Sequence, residues 1–197
     1  MKLSRKFAPA ALALALGACA GLLGGGKPPA YLFTLTPDAA VPATIVRSAG
    51  AGQAVTIAVP IVAKELQTLR VPVQLSPTVV QYVPNLQWVD TPDHLFKNLV
   101  AETVRRTTSR VVLDPSETTL DPGVVITGQL RHFGYDAQTS QVVVEYDATL
   151  STAGGNQVHT RRFTATAAAD GTSTTVGPAL NRAANEVALQ VAQWIGS

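Results

Sequence analysis

A single domain built on a mixed β-sheet with two long helices, α/β or α+β in class, is what this 197-residue sequence predicts. Three observations carry that expectation. Short runs rich in β-branched residues fill the first half, residues 124–168 change to a period of two, and two helical stripes stand far apart at about 92–109 and 176–195. Strands interrupted by widely spaced helices fit a sheet with helices packed on it. No internal repeat is visible.

The chain opens with Lys2, Arg5 and Lys6, followed by an almost unbroken apolar run from Phe7 to Leu16. A basic start, a short apolar core and a small-residue break describe a secretory signal. Pro9 and Gly17 leave the run short of the ~20 apolar residues that a membrane span needs. The segment Leu16-Gly17-Ala18-Cys19 resembles a bacterial lipobox, whose cysteine becomes the lipidated first residue of the mature protein. An ordinary signal peptide with a chance cysteine is the plain alternative. Cys19 is the one cysteine of the chain and stands where lipidation requires it, so lipidation is adopted. An anchor of three acyl chains exceeds the two signals needed for stable attachment, at ~0.8 kcal/mol per buried CH₂. The expected division is a signal peptide at 1–18, a tether at 19–30 that is Gly-rich and ends Lys27-Pro28-Pro29, and a folded domain at 31–197.

Within the domain, Tyr31-Leu32-Phe33-Thr34-Leu35 reads as a strand closed by Pro37 and Asp38, and residues 38–53 read as a loop. Residues 55–60 (VTIAVP) make a short strand, and 63–67 one helical turn. Residues 71–75 and 78–83 form two strand-like runs around Ser76-Pro77, a hairpin placed at a sheet edge because of Pro72. Thr91 at the N-cap, Pro92 at the first position and Asp93 in the first turn open a helix at 92–109. Its stripe is Leu95, Phe96, Leu99, Val100 and Val104, and Arg105, Arg106 and Arg110 suit its C-terminal end. Val111 to Leu113 is a short strand. A three-stranded antiparallel meander follows over 124–135, 142–150 and 157–167, with a turn at Gly154-Gly155-Asn156. Leu180, Ala184, Val187, Val191 and Trp194 keep helical spacing through 176–195.

The chain holds 15 Lys and Arg against 13 Asp and Glu, but Lys2, Arg5 and Lys6 leave with the signal. A mature chain near neutrality lacks the basic footprint of a nucleic-acid binder. With one cysteine there is no internal disulfide, so stability comes from packing. Gly21, Gly26 and Lys27 imitate part of a phosphate-binding loop, yet Pro28 replaces the magnesium-binding hydroxyl residue and Pro29 prevents the helix. His94, His132 and His159 show no metal-ligand spacing, although His132 and His159 could approach each other on neighbouring strands. Glu145 and Asp147 share a strand face, as a glycosidase pair would, but that is also the solvent face of an antiparallel sheet. No nucleophile elbow is present. Tyr82, Leu86 and Trp88 form an aromatic-apolar loop that is the candidate partner contact, with core packing the alternative for Trp88. Trp194 is expected in the core, and Arg161 and Arg162 on opposite faces of their strand. No catalytic residue, cofactor or metal site is assigned.

Taken in order, the lipobox at Cys19, the strand 31–35 with Pro37, the run 55–60, Trp88 before the helix 92–105, and the segment from Leu180-Asn181-Arg182-Ala183 to Trp194-Ile195 resemble the ABC-type transport auxiliary lipoprotein family. That family includes the Pqi-type intermembrane transport lipoprotein. Family members often carry a Tyr-Leu-Asp/Glu-Arg type stretch after the second strand, where this chain has Ile61-Val62-Ala63-Lys64-Glu65. The resemblance implies a three-layer fold similar to the TolB amino-terminal domain. It implies a non-catalytic partner of an ABC permease and ATPase and of a bridging MCE-class substrate-binding protein that together move lipid across the envelope. Ala20 stands where inner-membrane retention would show Asp, so an outer-membrane anchor facing the periplasm is expected. Whether the protein forms a homo-oligomer is left open. The alternative is an outer-membrane lipoprotein that activates a cell-wall synthesis enzyme; its short tether argues against that.

Overall fold

The computed structural model describes residues 31–44, 46–50, 52–117, 123–152, 155 and 157–196. The signal peptide, Cys19, the tether and the glycines of the imitation phosphate loop therefore lie outside the described residues, as do 154 and 156 of the expected turn.

One sheet organises the domain. Its strands are β1 (Val55–Ile57), β2 (Ile61–Val62), β3 (Arg70–Ser76), β4 (Val79–Gln87), β5 (Val112–Leu113), β6 (Val124–Asp136), β7 (Gln141–Ser151) and β8 (Val158–Ala168). The axis is β6. Along one edge it pairs antiparallel with β7 from Val125 to Asp136, and β7 pairs antiparallel with β8. Because β7 occupies that whole edge, β1, β2 and β3 must share the other, and each pairs parallel with its own stretch of β6. The short strand β5 flanks β1, and β4 flanks β3 as a hairpin. The sheet is mixed because the meander folds back locally while β1, β2 and β3 reach β6 through longer connections.

The period-two pattern survives because β6 corrects its own phase. Ile126 and Leu130 point into the core, and after an irregularity between Leu130 and His132 the buried residues become Phe133 and Tyr135. A bulge inserts one residue and shifts parity by one. Arg131 and His132 therefore both face outward.

The helices are α1 (Pro92–Thr107) and α2 (Ser173–Gly196). In α1 the stripe Leu95, Phe96, Leu99, Val100 and Val104 is buried. Thr91 occupies the N-cap but its side chain makes no capping bond; its carbonyl accepts from Leu95 N–H. The helix ends before residue 109 because Thr108 turns to extended backbone, and the Thr107 and Thr108 hydroxyls donate to Thr103 O and Val104 O at 2.7 and 2.8 Å. Helix α2 starts a turn before residue 176. Thr172 O accepts from Val176 N–H, and Asp170 accepts from Thr172 N–H at 2.9 Å, so the cap lies upstream of Pro178.

Both helices cover one face. Phe96 of α1 meets the Tyr146 ring edge-on at 5.1 Å, Trp194 of α2 meets Phe163 at 5.5 Å, and Tyr146 and Phe163 are direct cross-strand partners. The mixed sheet, the meander and the two helices are as the sequence predicts. The third layer implied by the resemblance is not formed by the described residues, since neither helix crosses to the opposite face. The hairpin lies at the sheet edge as expected, with β4 outermost and Pro72 on the inner strand β3. Pro72 pairs in register with Tyr82 just past a β3–β4 register break, and the pairing with β6 starts only at Val73, so the proline sits at an irregular end of the ladder.

Candidate functional site

The expected strand at 31–35 shrinks to one residue. Phe33 bridges parallel to Trp88, with Phe33 N–H donating to Gln87 O at 2.8 Å and Val89 N–H to Phe33 O at 2.9 Å. Beyond it the extended chain lies along α2, whose backbone is already saturated by helical bonds. Only side-chain amides can pair with it there, and two asparagines one turn apart do so. Thr36 N–H donates to Asn181 Oδ1 and Asp38 N–H to Asn185 Oδ1, each at 2.8 Å, while Asn185 Nδ2 donates to Thr36 O at 2.9 Å. From α1, Arg106 Nη1 donates to Ala39 O at 2.9 Å, and its Nε is held by Glu102 at 2.8 Å. Residues 33–39 are thus a strap clamped between both helices.

Gly177 lets the strap in. A Cβ at that position would come within 2.5 Å of the Phe33 ring. The ring also packs edge-on against Trp88 at 6.4 Å, and Trp88 reaches Phe133 of β6 at 5.7 Å. An aromatic chain therefore links the strap to the centre of the sheet.

That placement removes two of the three candidate partner-contact residues from the surface. Trp88 is 0 % and Leu86 1 % exposed, so neither can touch a partner; the bend of β4 near Asn85, which has φ 56°, turns both inward. Tyr82 stays half-buried, with the Arg70 guanidinium 4.2 Å from its ring centroid.

The sheet face that neither helix covers carries a lattice of charges. Arg162 grips Asp147 through Nε and Nη2 at 2.6 and 2.7 Å, Arg131 lies 3.3 Å from Glu145 and 3.8 Å from Asp147, and His132 Nδ1 is 3.6 Å from Glu145. The hydrogen bonds from Arg162 hold the Asp147 carboxyl below the usual carboxylate range. A general acid needs the opposite shift. Two carboxylates each bound by arginine make a structural ion lattice on a solvent face. His132 and His159 do not meet: β7 separates their strands, and His159 pairs with Leu150 on the helix-covered side while His132 pairs with Glu145 on the open side. Arg161 does part from Arg162, stacking on Phe163 at 5.1 Å. Trp194 is partly buried against the core. Among the described residues no group of three or more His, Cys, Asp or Glu could hold a metal ion. No described helix is long and apolar enough to cross a membrane.

Sequence reasoning missed the clamp. Asn181 and Asn185 interrupt an otherwise Ala-, Val- and Leu-rich helix at i, i+4 spacing, and that was the available signal.

Comparison with known proteins bears on what such a strapped, open-faced domain is. No curated protein matches the chain. A protein of Xanthomonas campestris, XCC0632, is similar in fold, with a TM-score of 0.65 and 20% identity over 84% of this chain and 94% of that one. A second solved structure, an uncharacterized protein, gives a TM-score of 0.59 and 14% identity over 76% and 96%. Residues 33–192, which run from the strap's phenylalanine through most of α2, match the family described as the ABC-type transport auxiliary lipoprotein component, and the chain belongs to that family.

Proposed function

We propose that the protein is the non-catalytic lipoprotein of an MCE-type ABC system that moves lipid across the envelope. In this reading acylated Cys19 holds the domain to the periplasmic side of the outer membrane, where it docks the bridging substrate-binding protein. Family membership over residues 33–192 is the observation that carries the proposal. The arginine-bound carboxylates of the open face support a surface that binds over one that reacts. Confining a docking module to the membrane raises the effective concentration of its contact without tight binding.

Affinity capture from detergent-solubilised membranes tests this. The intact chain is expected to recover an MCE-class protein with its permease and ATPase, and Cys19→Ser to lose membrane fractionation and that recovery. Recovery of a cell-wall synthase in their place would overturn the proposal in favour of the activator reading.

A further inference from the structure

The β3–β4 hairpin is sparsely charged for its length. Residues 66–89 contain one charged side chain, Arg70, in a chain that is 14% charged. The same stretch exposes Leu69, Leu75, Val79 and Val80, at 36–45% of their surface. Tyr31 and Leu32, also exposed, join it through the Phe33 bridge to Gln87 and Val89. Charge is one device that blunts a water-facing edge; β4 carries none and has instead Pro84 and register shifts against β3.

We propose that the β3–β4 hairpin rests on the lipid surface that holds the anchor, with Leu75, Val79 and Val80 at the boundary between headgroups and acyl chains. The inference depends on the lipoprotein reading of Cys19. Three observations favour lipid over a protein occupant. Eleven residues lie between Cys19 and Tyr31, a reach of at most ~40 Å even when fully extended, so the anchor keeps the domain within about that distance of the bilayer. Tyr31 and Leu32, the first described residues of the domain, stand beside the open end of this hairpin through the Phe33 bridge to Gln87 and Val89. Residues 66–89 themselves carry no carboxylate, although Asp136, whose strand position pairs with Gln74, and Glu65 beside Tyr82 are neighbours; their single cation, Arg70, lies over the Tyr82 ring at 4.2 Å, a pairing suited to an interface where an apolar body and a polar tip are both satisfied. Depth is limited by the backbone. The outer edge of β4 from Val79 to Leu86 has no strand partner among the described residues. Unpaired peptide groups cannot enter hydrocarbon, so contact stays shallow.

The test uses the mature acylated protein reconstituted in phosphatidylethanolamine–phosphatidylglycerol vesicles. Acylation consumes the native thiol, so Val80→Cys or Leu75→Cys supplies one reactive site for an environment-sensitive fluorophore, and Thr166→Cys on the open face of β8 is the control. Flotation with the vesicles is checked first. The expected result is a blue shift at positions 75 and 80 and loss of their emission when spin-labelled lipid is included, with no change at 166. Floating protein whose hairpin probes emit as in water overturns the inference and leaves the anchor standing. A blue shift without quenching means that protein, such as a second copy, covers the hairpin, and also overturns it. Failure to float removes the anchor and this inference together.

Discussion

Replacing Asn185 with alanine separates a strap that is clamped from one that merely lies on the surface. The Asn185 side chain makes three hydrogen bonds, two of them to the strap: it accepts from Asp38 N–H and donates to Thr36 O and to Asn181 O. It is 9% exposed, so water replaces those bonds poorly. At a net ~0.5–1.5 kcal/mol per bond, the two strap bonds are worth about 2 kcal/mol, with a further penalty for backbone groups left unpaired. Better helix propensity of alanine returns only a few tenths of a kcal/mol. Asn181→Ala loses one exposed bond, to Thr36 N–H, and should cost about 1 kcal/mol or less. Urea unfolding followed by tryptophan emission reads both, with an unchanged slope as the condition for comparison. Hydrogen exchange should show both strap amides protected in the wild type, with Asp38 N–H exposed in Asn185→Ala and Thr36 N–H exposed in Asn181→Ala. A loss within the ~0.5 kcal/mol typical of surface substitutions, or a larger loss for Asn181→Ala, would refute the clamp.

Gly177→Ala should destabilise despite the ~1 kcal/mol that alanine gains over glycine in a helix, because the new methyl meets the Phe33 ring; Phe33→Ala in the same chain should restore part of the loss, read by thermal melting. Trp88→Phe should cost clearly less than the ~3–5 kcal/mol of a tryptophan truncated to alanine, since the buried indole Nε1 has no hydrogen-bond partner to lose; denaturant midpoints decide. Asp147 is held below its usual range by Arg162, so its contribution is present above the normal carboxylate pKa and lost as pH falls through the lowered folded value. The stability gap between wild type and Asp147→Asn should therefore be small, shrink in high salt because the pair is exposed, and vanish in acid. A gap that widens on acidification contradicts the lattice assignment.

The meander and both helices could be read from the chain because burial alone sets their periods. Val142, Val144, Tyr146 and Ala148 alternate without exception, and the α1 stripe is buried as spaced. The bulge at Arg131 was hidden because a one-residue phase slip is recognisable only against its partner strand. The strap failed differently. Tyr31 to Leu35 has strand composition, but only Phe33 meets a strand-like partner, Trp88, and no local pattern signals that Thr36 and Asp38 just beyond pair with Asn181 and Asn185, about 150 positions away. Tyr82, Leu86 and Trp88 resemble an interface in sequence because apolar residues near a polar loop serve core and contact alike. Only the turn of the β4 backbone decides between them.

The account rests on a lipid-bearing residue 19 that ties the strapped domain to a bilayer. Intact-mass spectrometry of the protein extracted from membranes tests it most directly. The predicted spectrum is a chain beginning at Cys19 with the added mass of its acyl groups. A mature chain that starts elsewhere, or that keeps Cys19 as a free thiol, would contradict it.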